Sequence, residues 1–164
     1  MPDPRTADLP RSVGPAGRRL AAARLLVAVL WAGALWALGY IAAPAVFAAV
    51  PSTVAGDVVA GLLDRLGWVS LACAAAILLL VRLSPDLDTG RRRSLNLLVL
   101  AMLACALVMW SGLQPAMAQM RELAGPDGVR ASPYWTQFAV MHGVSQLFHV
   151  IESVLAALLV LKSR

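Results

Sequence analysis

Charge is scarce in this sequence. Asp, Glu, Lys and Arg make up 14% of 164 residues, while 60% are hydrophobic. Soluble domains run nearer a quarter charged, and a soluble sphere of this size has more surface than so few charges can cover. A cytosolic enzyme is therefore disfavoured, and so is disorder, which needs low hydrophobicity. Histidine and cysteine are rare too, with two of each. Cys73 and Cys105 both sit inside apolar runs, so no secreted disulfide framework is supported. There is no Gly-rich phosphate loop, no His-Glu-x-x-His and no Cys-x-x-Cys. These absences leave no catalytic residue to name and no cofactor to expect.

What is present is apolar sequence in four long runs. Mean hydropathy is +0.74. At about 20 residues per span the chain has room for four crossings. The expected fold is all-α: a four-helix transmembrane bundle behind a disordered cytoplasmic tail at residues 1–19. Pro2, Pro4, Pro10 and Pro15 break helix in that tail. The spans are expected at residues 20–50, 53–83, 94–120 and 137–161. The first is too long for a signal-peptide core of about 7–15 residues and reads as a retained helix. Ser52 and Thr53 are candidate caps for the second span, and Pro115 a kink in the third.

The net charge is +5, with a pI near 10.2. The basic residues lie between apolar runs, so their expected partner is the bilayer surface and not nucleic acid. Arg5, Arg11, Arg18, Arg19 and Arg24 stand at the start. Arg82, Arg91, Arg92 and Arg93 surround the second loop, and Lys162 and Arg164 close the chain. Arg65, Arg121 and Arg130 fall on the opposite side. This asymmetry predicts that both termini are cytoplasmic, with Tyr134 and Trp135 at the outer interface.

Ionisable groups within spans are costly and tend to face the bundle interior. His142, Ser145, Gln146, His149, Glu152 and Ser153 occupy about 120° of one face of the fourth helix, at about 100° per residue. Helix rise sets Pro44, Asp64, Arg65, Gln114 and His142 in one layer about 12 Å outward of the midplane. Tyr40, Trp68, Trp110 and Gln146 lie about 6 Å outward, and Trp36, Cys73, Cys105 and His149 near the middle. Glu152 falls slightly further inward. A polar pocket in the outer half follows, with Asp64, Arg65, Gln114, His142, Ser145, His149 and Glu152 as its candidate ligand-binding residues.

Each piece also has a plainer explanation. Asp64 and Arg65 can pair with headgroups or snorkel. His142 can simply hydrogen-bond Gln114 or Asp64. The cysteines can be small packing residues. Met117, Met120 and Met141 could hold a soft metal such as Cu(I), but also suit packing. Gly33-x-x-x-Ala37 and Gly39-x-x-x-Ala43 are steps at which helices pack closely.

Several segments together resemble a known family. Trp31-Ala-Gly33 followed by Gly39-Tyr-Ile-Ala-Ala-Pro44-Ala-Val-Phe47 is similar to the first span of the bacterial domain-of-unknown-function 4149 group. That group is the bacterial side of the transmembrane protein 205-like family. Ala55-Gly56, Gly61-Leu-Leu, and Gln114-Pro115 with Arg121 continue the likeness. Phe138-Ala-Val-Met-His142-Gly143-Val-Ser145 resembles the family's Phe-x-x-x-His-Gly-x-Ser signature. The resemblance carries over Trp31, Gly33, Pro44, Phe47, Phe138, His142, Gly143 and Ser145; His149 and Glu152 lie outside it. It implies a four-helix protein of the bacterial inner membrane whose molecular activity is not established. In physical terms, Gly143 permits close approach beside His142, and Ser145 can fix the imidazole or bond its own helix. Pro44 frees the carbonyl of Tyr40.

Three functions compete. The first is binding or transport of a small ligand, a proton or a metal ion at the polar pocket. The second is assembly with a membrane partner or a second copy through small-residue faces. The third is haem-type redox chemistry. For the third, His142 and His149 stand on one helix about 10.5 Å apart, so they cannot both ligate one iron within a single bundle.

Overall fold

The computed structural model describes residues 14–164, and these form four long helices. They are α1 (Pro15–Ala49), α2 (Ser52–Leu83), α3 (Thr89–Ala124) and α4 (Trp135–Lys162). A single 3₁₀ turn, Val129–Ala131, interrupts the α3–α4 connection. The shortest helix, α4, has 28 residues. At about 1.5 Å per residue even it outreaches a hydrocarbon core of about 30 Å. The chain is therefore a multi-pass membrane protein in contact with the bilayer. Neighbours in sequence pack side by side and α1 closes on α4, giving a four-membered ring. We call the end holding the start of α1 and the close of α4 the terminal end, and the other the far end.

Local chemistry explains where the helices begin and stop. Helix α1 starts at Pro15, five residues before the expected Leu20, because proline fits the first turn, where no N–H is required. The rest of the expected tail, residues 1–13, lies outside the described residues. The expected capping by Ser52 or Thr53 is not made: Pro51 occupies the cap position of α2 and no side chain caps it. Helix α3 starts at Thr89, well before the expected 94, because the Asp88 carboxylate accepts the Arg91 N–H at 2.8 Å. Gly125 and Gly128 take positive φ (70° and 77°) in the loop that follows α3, a conformation that glycine adopts freely.

The fully buried side chains sit mainly in the terminal half. Trp31 and Leu35 of α1, Ile77 and Val81 of α2, Leu95, Val99 and Met102 of α3, and Ala156 and Leu159 of α4 meet there. Lipid tails are as apolar as these residues, so close packing and polar bonds, not the hydrophobic effect, hold them together. Two such bonds lock α1 to α2. The Trp31 indole donates to Ser70 Oγ at 3.0 Å, and the buried Arg24 guanidinium donates to Ser84 Oγ at 3.0 Å. Outward-facing Leu26, Leu30, Val140 and Leu147 are mostly exposed, as lipid-facing side chains are in an isolated chain.

The far half is built differently. Helix α1 passes through a π turn at Ala37–Ala42, and α3 through one at Val108–Leu113. The Ala43 N–H bonds the Leu38 carbonyl, and the Gln114 N–H bonds that of Met109, each five residues back. The next residue is proline in both cases, Pro44 and Pro115, with no N–H to continue the ladder. Each proline thus leaves a carbonyl at the exit of the π turn without its donor. Nothing in Ala37–Ala49 or Val108–Leu113 is buried. Beyond its π turn α1 packs loosely, while α2 and α3 still bury Ala55, Val59, Met117 and Met120 in the far half.

Candidate functional site

Helix α4 supplies the polar stripe. Its buried residues are Ser145, His149, Glu152, Ser153, Ala156 and Leu159, spaced three, four or one apart along one face. Of the predicted stripe, His142 and Gln146 are exposed instead. At their level the neighbouring stretch of α1 has no buried residue, so that face of α4 has little to pack against. His142 lies parallel to Phe138, with ring centroids 6.2 Å apart, and Ser145 donates to the His142 carbonyl at 2.8 Å. Ser145 therefore bonds its own helix backbone.

His149 stands midway along α4. Its ring packs against Gly39 so closely that a Cβ there would overlap Nε2. Glycine in the α1 π turn is what admits the imidazole. Tyr40 completes this wall: its ring lies 5.4 Å from that of His149, and its hydroxyl donates to Ser153 Oγ at 3.0 Å. At Gly33 and Gly143, by contrast, a Cβ would meet nothing within 4 Å. The close approach expected at those two glycines does not occur, and at Gly39 it is made by a side chain.

A cavity of about 30 Å³ lies on the other side of His149. Glu152, Gln114, Ser70, Gly67 and Trp110 line it, with Leu63, Leu66, Ala106 and Met109 as apolar wall. A space of this size admits a water molecule. Two buried polar atoms at this cavity's lining residues, His149 Nε2 and Glu152 Oε1, have no hydrogen-bond partner in the protein. Such atoms are rare in membrane interiors, where an unpaired polar group costs several kcal/mol.

Trp110 stands between the cavity and the far end. Its indole donates to Asp64 at 2.8 Å and meets Trp68 edge-on at 4.9 Å. Gly67 provides the room, since a Cβ there would come within 2.6 Å of the Trp110 ring. Asp64 itself is exposed at the rim. Arg65 is exposed and away from the cavity lining. Arg121 pairs instead with Asp57, at 3.5 Å.

Of the seven candidate residues, the cavity gathers Gln114, His149 and Glu152, and Asp64 bonds its Trp110 wall. Arg65, His142 and Ser145 are not at the cavity. Ser70 and Gly67 were not anticipated there. The signal for both was in the sequence: Gly67 and Ser70 are small residues at i and i+3, just before the wholly apolar stretch Leu71–Val81 of α2. Met117 and Met120 are buried along α3, as packing residues would be. Among the described residues, no three His, Cys, Asp or Glu side chains converge as a metal site would require.

One family model matches the chain, over residues 26–125. The protein belongs to the family defined by the domain of unknown function DUF4149. The match runs from α1 through α3 and includes both π turns, Trp31, Gly39, Pro44, Gln114 and Pro115. It stops before α4, so the His142–Ser145 segment and the His149–Glu152 pair lie beyond it. No curated protein and no solved structure matches the chain.

Proposed function

We propose that this DUF4149 protein is a membrane protein that reversibly binds a proton at Glu152 and His149. One observation carries the reading: a carboxylate oxygen and an imidazole nitrogen, both buried and both without a partner in the protein, belong to residues one helical turn apart that line the same small cavity. A carboxyl and an imidazole are the two side chains that exchange protons most readily. Ionisable groups at this depth mark proton or ion paths more often than structure. Among the described residues, the donor set argues against a multidentate metal ion.

Access is from the far end. On the terminal side, Trp31, Ile77, Val99 and Met102 close the bundle without a polar path. On the far side Leu63, Trp110 and Gln114 line the cavity, and Trp110 is tethered to the exposed Asp64. Asp64 is then the titratable group at the rim on that side, and Gln114 a hydrogen-bonding group at the cavity.

The test is infrared difference spectroscopy between acid and alkaline buffer. The wild type should show a carboxylic-acid C=O band from a buried carboxyl. That band should vanish in Glu152→Gln, shift in His149→Gln and persist in His142→Ala. A band unchanged by Glu152→Gln would sink the proposal.

A further inference from the structure

The terminal end holds a second site of different chemistry. A cleft of about 430 Å³ opens between the start of α3 and the close of α4, lined by Gly90, Arg91, Ser94, Leu161 and Lys162. Arg91 reaches across it: its Nη2 and Nε donate to the Lys162 carbonyl at 3.1 and 3.4 Å. Lys162 reaches back, its Nζ donating to Ser94 Oγ at 2.8 Å. The two cations are therefore held in position by neutral acceptors. Neither has a carboxylate within 4.0 Å among the described residues, where Arg121 and Asp57 form the one ion pair. The nearest acid in sequence, Asp88, accepts the backbone N–H of Arg91. Two positioned positive charges with no counter-ion remain beside a hydroxyl.

The surroundings say what kind of anion fits. The cleft lies where the charged loop gives way to the apolar helices, at the level of lipid headgroups. Below it the surface is apolar and outward-facing: Leu161 is 58% exposed, and Leu97, one turn past Ser94, is 57% exposed. A ligand here has a polar head between Arg91 and Lys162 and an apolar tail along Leu97 and Leu161. We propose that this cleft binds the headgroup phosphate of an anionic phospholipid, with Arg91 and Lys162 on the phosphate oxygens and Ser94 as a hydroxyl donor. Arg suits phosphate because its planar fork can donate two parallel bonds. The site is independent of the proton-binding reading, since it lies at the other end of the bundle from Asp64 and Trp110.

Native mass spectrometry of the detergent-solubilised full chain tests this. Phosphatidylglycerol, phosphatidylcholine and glycerol phosphate are titrated separately. Phosphatidylglycerol should add one molecule in preference to phosphatidylcholine. Arg91→Gln and Lys162→Gln should each weaken it about fivefold, and the double variant about 25-fold. Arg93→Gln, which removes the same charge from the same end but does not line the cleft, should bind as the wild type does. Equal loss in Arg93→Gln would mean diffuse surface charge and overturn the site. Wild-type binding by the double variant, or no preference over phosphatidylcholine, would do the same. Glycerol phosphate binding as tightly as the lipid would overturn the lipid assignment. Should the double variant fail to fold, the two single variants carry the same comparison.

Discussion

At the scale of single residues, four glycines separate packing from pattern. Gly33 and Gly39 both begin a small-x-x-x-small step on α1, and Gly143 sits beside a histidine. The sequence makes all three look like close-approach points. Only Gly39 is one, and Gly67, which carried no such pattern, is another. Which glycine meets a side chain depends on the rotation of the helix, which the π turn sets and residue spacing does not reveal. Alanine substitution should divide them. Gly39→Ala and Gly67→Ala place a methyl into the His149 and Trp110 rings and should cost about 1–3 kcal/mol. Gly33→Ala and Gly143→Ala meet open space and should be neutral or stabilising by up to about 1 kcal/mol through helix propensity. Thermal unfolding in detergent would check the split. Equal losses at all four would mean that the ring contacts carry no weight. His149 and Glu152 were legible as site residues because a midspan imidazole and carboxyl three residues apart are costly wherever they face. His142 has the same chemistry on nearly the same face, yet it is exposed. Its exposure follows from α1 having no buried residue at that level, a fact about a neighbouring element.

At the scale of elements, the number, order and approximate ends of the helices follow from hydropathy and from proline and glycine punctuation. The inner geometry of α1 and α3 does not. Proline at 44 and 115 reads as a kink, but the residue count of the turn before it decides which side chains face the core. An extra residue per turn rotates everything beyond it by about 100°. In α1 this sets Gly39 and Tyr40 together against His149, with Tyr40 bonded to Ser153. A double-mutant cycle on Tyr40→Phe and Ser153→Ala should give a coupling of about 0.6 kcal/mol, the usual worth of a hydrogen bond between membrane helices. Pro44→Ala supplies the missing N–H and lets the turn relax toward α. In that background the Tyr40–Ser153 coupling should fall to zero while overall stability holds. Persistent coupling after Pro44→Ala would show that the π turn does not depend on proline.

At the scale of the whole molecule, the two ends are built for different surroundings. The terminal end is closed by buried Arg24 and carries Arg82, Arg91, Arg92, Arg93 and Lys162 around it. The far end, where α1 buries nothing past its π turn, has Arg65, Arg121 and Arg130, of which Arg121 is paired with Asp57. Composition alone reveals the membrane class, and the positions of the basic residues reveal the asymmetry. The water-sized cavity was not legible, because it is a gap left between side chains of three helices. Basic residues resist translocation, so the terminal end should face the cytoplasm and the far end the opposite side. Single cysteines in a background lacking Cys73 and Cys105 would decide this. Asp127→Cys in the α3–α4 loop should react with a membrane-impermeant maleimide added to intact cells. Asp86→Cys in the α2–α3 loop should react only after the membrane is opened. The reverse pattern would turn the bundle over, and with it the side from which Glu152 and His149 exchange protons. Because the proposed proton path opens only at the far end, the same labelling also fixes which compartment's pH those two residues read.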